Sequence, residues 1–213
     1  MLHAGERLLL KASIHKQDRA VATRRELIQA ARAVFAAVGF ESARIEQIAA
    51  KAGKTRGAFY ANFKDKEDVF FALFEEDLMR DQRRIVADLS AAVNLDEKIE
   101  ILASHLDEWL HDRERLLLNL EFKMYVIRHP RKRRRLHELY MEMCTRCAMQ
   151  KLNSLIPDAD VRERRRLTTE MGAVIDGLAL NTMFNPDGLS REQRTGLLRL
   201  AARDALRNAC SSG

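Results

Sequence analysis

Apolar positions recur at three- and four-residue spacings along nearly the whole chain, and no stretch alternates with the period of a strand. Over residues 23–38 the stripe is Leu27, Ala30, Ala31, Val34, Phe35 and Val38. Thr23 with Glu26 reads as a capping box at its start, and Gly39 as its stop. Ile45, Ile48, Ala49 and Ala52 mark a short second helix ended by Gly53. Thr55 is placed to cap a third, over 56–62, whose apolar residues are Phe59 and Phe63. Two short helices joined by a glycine turn make a helix-turn-helix. Asp65 caps a fourth helix, with Glu67 and Asp68 in its first turn, where the helix dipole favours acids. Its stripe is Val69, Phe70, Leu73, Phe74 and Leu78, and no breaker follows until about Asn94.

Five more helices are predicted, over 96–111, 113–128, 131–155, 160–184 and 190–208. Pro130, Pro157 and the turn Asn185-Pro186-Asp187-Gly188 separate them, and Ser190 with Gln193 forms a capping box for the last. The predicted fold class is therefore all-α. The pattern divides the chain into a basic extension (1–22), a helix-turn-helix domain (23–66) and a larger helical domain (67–213).

Charge sharpens that division. The 213 residues carry a net charge of +6, and residues 1–66 hold 13 Lys/Arg against 6 Asp/Glu. The basic excess thus lies at the N-terminal end, which places a nucleic-acid footprint there. Arg7, Lys11, Lys16 and Arg19 could form a DNA-contacting arm or belong to a frayed leader. Three cysteines and no secretory signal fit a reducing, cytoplasmic setting, and no apolar run is long enough to span a membrane.

The third helix offers little apolar surface beyond Phe59 and Phe63. Its other face carries Arg56, Gly57, Tyr60, Ala61 and Asn62, with Lys64 and Lys66 directly after it. A basic, small-residue, hydroxyl-bearing face of this kind suits the major groove of double-stranded DNA. Other constellations are weaker. The run 131–135 (Arg-Lys-Arg-Arg-Arg) reads as a solvated helix start, with an anion-binding role as the alternative. Cys144 and Cys147 share a helix face and read as core thiols, and Cys210 as an exposed one. No metal-ligand spacing, phosphate loop, dinucleotide fingerprint or hydrolase elbow is present, so neither a cofactor nor an enzymatic activity is expected.

The segment from Gly39-Phe40 through IEQIAAKAG to TRGAFYANFKDKEDVF resembles the N-terminal DNA-binding domain of TetR-family transcriptional repressors, over residues 24–74. Gly53, Gly57, Phe59-Tyr60, Phe63 and Lys64-Asp65-Lys66 carry the resemblance. It implies that Arg56 and Gly57 approach base edges while Thr55, Tyr60, Lys64 and Lys66 hold phosphates. The family's usual Thr-Thr before the second helix is Ala43-Arg44 here, so Arg44 can supply the phosphate contact by charge but not the cap. Ala61-Asn62 stand where the family often has an aromatic followed by His.

The resemblance also implies a homodimer on a palindromic operator, released by a small hydrophobic effector. Candidates to line the effector site are Phe74, Leu102, His105, Leu106, Trp109, Phe122, Tyr125, Met143, Cys147, Met171 and Ile175. Candidates for the dimer face are Leu167, Met171, Val174, Ile175 and Leu178, with Leu197 and Ala201. The alternatives are a constitutive DNA-binding regulator without a ligand, and a small-molecule-binding protein or enzyme.

Overall fold

The computed structural model describes the backbone of residues 4–210 and the side chains of residues 17–207. The described residues form ten helices and no strand: α1 (Ala4–Val38), α2 (Ile45–Lys51), α3 (Arg56–Tyr60), α4 (Lys66–Ala91), α5 (Leu95–Trp109), α6 (Arg113–Arg128), α7 (Pro130–Cys147), α8 (Met149–Leu155), α9 (Val161–Phe184) and α10 (Arg191–Cys210). They belong to two compact units, Met1–Phe74 and Glu75–Gly213. The division falls inside α4, whereas the sequence pattern puts it at 66/67.

Two elements differ from the sequence reading. α1 does not begin at Thr23 but runs unbroken from Ala4. Every residue from Glu6 to Ala22 tolerates helix, so nothing forces a start at Thr23. Glu26, freed from capping, pairs instead with Lys54 Nζ at 2.7 Å. The single helix expected over 131–155 is divided at Ala148 into α7 and α8, and Pro130 is the first residue of α7 rather than a spacer before it. At N1 proline loses nothing, because its missing N–H has no intrahelical partner there.

The N-terminal unit is closed by rings. Phe35, Phe40, Phe59, Phe63 and Phe70 are all fully buried. Phe40 lies 5.2 Å from Phe35 and 5.4 Å from Phe70, centroid to centroid, and Phe59 lies 5.7 Å from Phe63. Each such side chain contributes about 1.5–3 kcal/mol by leaving water. Phe74, one of the effector-site candidates, stacks on Phe70 within this unit.

In the C-terminal unit α10 packs on α5 and α9. One apolar cluster joins Ile85, Leu89, Ile99, Leu102, Leu152, Leu155, Leu167 and Leu206, and another joins Ala103, Leu110, Leu116, Leu178 and Leu198. Leu167 and Leu178 are therefore 4% and 6% exposed within a single chain and are not available to a second copy. Between the clusters the unit folds charge inward. Asp107 is buried and accepts from Arg194 Nε at 2.7 Å, and Arg194 Nη2 lies 3.0 Å from His111 Nε2. The buried Arg164 donates to the carbonyls of Ala159 and Pro157 at 2.8 and 3.1 Å, satisfying chain that follows α8.

Candidate nucleic-acid interface

The turn between α2 and α3 is set by two local devices. Gly53 has φ of +64°, the left-handed region that side chains resist, and its N–H reaches Ala50 O at 3.0 Å. Thr55 then caps α3, its Oγ1 accepting from Ala58 N at 3.1 Å. Ahead of α2, Arg44 gives no side-chain cap. Gln47 Oε1 instead accepts from Arg44 N at 2.9 Å, half of a capping box. The buried Phe59 and Phe63 fix α3 by one side and leave the opposite side open.

That open side carries Thr55, Arg56, Gly57, Tyr60 and Ala61, all exposed, and Arg44 and Lys64 are exposed beside them. α3 ends at Tyr60 with Ala61 as its C-cap, two residues earlier than the sequence pattern implies. Arg56 is ion-paired with Glu46 at 2.9 Å and lies along the Tyr60 ring, 5.5 Å from the centroid. The hydrogen bond to the Tyr60 hydroxyl, then charge interactions with Tyr60 and Glu46, raise the Arg56 pKa, and a guanidinium is a permanent cation in any case. Gly57 has ordinary helical φ, and a Cβ added there would meet only Thr55 Oγ1 at 3.7 Å. The fold itself does not require glycine at 57.

Two expected contacts are turned inward. Lys66 Nζ donates to Glu41 O at 2.7 Å and Ala43 O at 3.2 Å and sits 4.9 Å from the Phe40 ring centroid. It ties the turn ahead of α2 to the start of α4. Asn62 Nδ2 donates to Ala58 O at 2.8 Å, closing the end of α3. Arg24, which the sequence reading passes over, donates to Asn62 O at 2.9 Å and lies 4.3 Å over the Phe63 ring. It braces α3 from 38 residues away, a separation no local pattern reveals. Asp65 caps α4 as the sequence implies, its Oδ1 accepting from Asp68 N at 2.9 Å.

In the C-terminal unit the effector candidates divide. Leu102, Leu106 and Met171 belong with one apolar cluster, and Trp109 and Ile175 with the other, Leu106 touching both. Phe122 and Tyr125 are buried with their rings 6.4 Å apart, and Met143 and Cys147 are buried on α7. His105 is half-buried, and burial lowers its pKa. Burial likewise pushes the Cys144 thiol up to about 12, which makes it inert. Cys210 and the cations Arg7, Lys11 and Lys16 lie outside the described side chains. Of the run 131–135 all five residues are exposed, and Lys132 reaches Tyr125 Oη at 2.7 Å. No group of three or more possible metal ligands occurs among the described residues, and no described helix is long and apolar enough to cross a membrane.

Comparison with known proteins places this geometry. Residues 27–73 match the family of bacterial regulatory proteins of the TetR type, and residues 98–207 match the C-terminal domain of BetI-type transcriptional repressors. The transcriptional repressor AcnR of Corynebacterium efficiens is 40% identical over 68 residues, 32% of this chain and 36% of that protein. The match thus spans little more than a third of that relative's length. Among solved structures, a chain assigned to the TetR family from Mesorhizobium loti superposes with a TM-score of 0.60 at 23% identity, covering 89% of this chain and 98% of that one. The regulator FadR of Bacillus subtilis, solved with stearoyl-CoA, superposes at 0.56 and 21% identity over 85% of this chain and 97% of that one. With its helix-turn-helix unit and more than half its length matched by the two family models, this chain belongs to the TetR family of bacterial transcriptional regulators.

Proposed function

We infer that the chain is a DNA-binding transcriptional repressor that acts as a homodimer on a palindromic operator and is released by a small effector. The observation that carries the reading is the exposed face of α3, where Arg56 stands next to a glycine that the fold does not need. A bare backbone at 57 allows close approach of a base pair, and Arg56, once it leaves Glu46, can read guanine bidentately. Thr55, Tyr60, Lys64 and Arg44 flank it and hold phosphates, which position the helix without reading sequence. Lys66 and Asn62 act one step behind, keeping the turn and the end of α3 in shape.

Two copies are supported by apolar surface left uncovered on the last long helices. Leu180 and Phe184 of α9, with Leu197 and Leu200 of α10, are exposed, Phe184 at 88% and Leu200 at 68%. This face, rather than Leu167 and Leu178, is the dimer surface of the proposal. Two half-sites one helical turn apart then require the two α3 helices in fixed register. Helix α4 is shared by both units, so an effector bound among α5–α9 can alter that register through it. Action on DNA in a bacterial cell places the protein in the cytoplasm.

The test is selection of binding sites from a randomised duplex pool, with the oligomer measured by sedimentation. A palindromic consensus and a dimer that Leu200→Glu converts to monomer are the expected results. A monomeric wild type at micromolar concentration, or a pool without consensus, contradicts the reading.

A further inference from the structure

An acid touches the reading face of α3. Glu46 lies in the first turn of α2, exposed, with its Oε1 2.9 Å from Arg56 Nη1. The two side chains are 55% and 61% exposed, so the pair adds little to the stability of the fold. Glu46 does not close the start of α2 either. Gln47 does that, its Oε1 accepting from Arg44 N. Among the described residues Glu46 has no partner besides Arg56. The other exposed residues here, Arg44, Thr55, Gly57, Tyr60, Ala61 and Lys64, are basic or neutral. Phosphates line both edges of a major groove, so a carboxylate on this face opposes DNA binding in general. Neither the fold nor the holding of phosphates accounts for it.

The geometry around Arg56 supplies a reason. Its Nη1 faces Glu46, and its Nη2 donates to Tyr60 Oη at 3.4 Å. Cation and anion thus reach a groove side by side. When Arg56 turns to guanine N7 and O6, Glu46 loses its counter-ion. An ionised carboxylate only accepts, so its new partner must be an N–H donor. The donors on a major-groove floor are the exocyclic amines of cytosine and adenine. Adenine sets its acceptor N7 beside the amine, where it repels a second carboxylate oxygen, so cytosine N4 is the better match. The carboxylate starts 2.9 Å from the guanidinium, and successive base pairs lie about 3.4 Å apart. The pair next to the guanine is therefore within its reach.

We propose that Glu46 is a second base-reading residue, supplied by α2, and that it accepts from N4 of a cytosine in the base pair next to the guanine taken by Arg56. The proposal rests on the reading of Arg56 as the guanine contact. Each half-site then carries two adjacent G·C pairs, one fixed by a cation from α3 and the other by an anion from α2. A wrong base at the second position leaves the Glu46 carboxylate without a donor among phosphates, which adds a penalty to the lost contact.

The test uses the full chain as wild type, Glu46→Ala, Glu46→Gln and Arg56→Ala. Sites are selected from a randomised duplex pool, and affinities are then measured for all four bases at each of the two positions. Ratios between duplexes are compared, so a uniform gain from the lost negative charge cancels. Wild type should select cytosine beside the guanine and lose about tenfold when it is replaced. Glu46→Ala should bind all four bases at that position within about twofold while keeping the guanine. Glu46→Gln should also give up cytosine, in favour of adenine, whose N6 and N7 suit an amide. Arg56→Ala should lose the guanine and keep the cytosine. Wild type without cytosine beside the guanine overturns the proposal. So does a cytosine preference that survives in Glu46→Ala or Glu46→Gln, or a Glu46→Ala that loosens only the guanine position. If Arg56→Ala keeps the guanine while Glu46→Ala loses the cytosine, the assignment of Arg56 fails and Glu46 stands as a base reader. A pool without consensus overturns both.

Discussion

The N-terminal unit closes its interior with rings that need no partner but each other, Phe35, Phe40, Phe59, Phe63 and Phe70. The C-terminal unit surrounds its apolar clusters with buried charge, Asp107 on Arg194, Asp77 and Asp81 on Arg115. Rings packed at about 5–6 Å give one rigid arrangement, because a core at crystal density has no second way to fill itself. A buried ion pair can be replaced by another pair or by apolar residues of similar volume, so a unit held by such pairs is less tied to one filling of its interior. A helix that must be held in one orientation is served by the first kind of interior, and the second leaves the other unit more than one way to settle its pairing.

The largest effects that separate the two come from truncation. Phe59→Ala should cost about 3–5 kcal/mol, with no second change that restores it. Asp107→Ala should cost about 3–5 kcal/mol because it leaves Arg194 buried and unpaired, but Asp107→Leu with Arg194→Met should recover most of that loss. Urea unfolding of the three variants checks both. If the double variant is no better than Asp107→Ala, the buried pair is not an exchangeable element and the contrast fails.

A smaller effect probes the turn. Thr55→Ala should remove about 1 kcal/mol by uncapping α3, and should weaken binding to every DNA sequence evenly. The smallest effect is a pH dependence confined to the C-terminal unit. Burial lowers the His105 pKa, so the unfolded chain holds a proton that the native state gives up. The stabilising contribution is complete above the ordinary histidine value of about 6.5 and is lost as pH falls toward the folded value. Melting temperatures of wild type and His105→Gln between about pH 7.5 and 5.5 should diverge, the variant falling less. Parallel curves would place the titration elsewhere.

The same contrast explains what can be read from the chain alone. The N-terminal unit is built from local rules, Gly53 in the left-handed region, Thr55 and Asp65 as caps, a phenylalanine stripe, and all of these are legible in sequence. Thr23 misleads as the start of α1 because a good cap residue is only an offer, and the helix in front of it has no reason to stop. Lys66 reads as a phosphate contact by type and spacing, but its carbonyl partners lie 23 and 25 residues back. In the C-terminal unit the helices are legible and the polar pairing of the interior is not. A Met- and Trp-bearing inventory suggests an apolar cavity, while Asp81–Arg115 and Lys123–Asp176 join residues 34 and 53 apart. Long-range ion pairs leave no periodic trace.

The central claim is that α3 presents Arg56 to a base while its neighbours hold phosphates. It is tested most directly by equilibrium binding of wild type, Arg56→Ala and Lys64→Ala to the selected palindrome and its single-base variants across salt concentrations. Lys64→Ala should weaken all duplexes alike and reduce the salt slope by about one for each phosphate that the lysine neutralises. Arg56→Ala should cost about 1–3 kcal/mol on the palindrome and abolish discrimination at one position of each half-site. An Arg56→Ala variant that loses affinity evenly for every duplex would contradict the account.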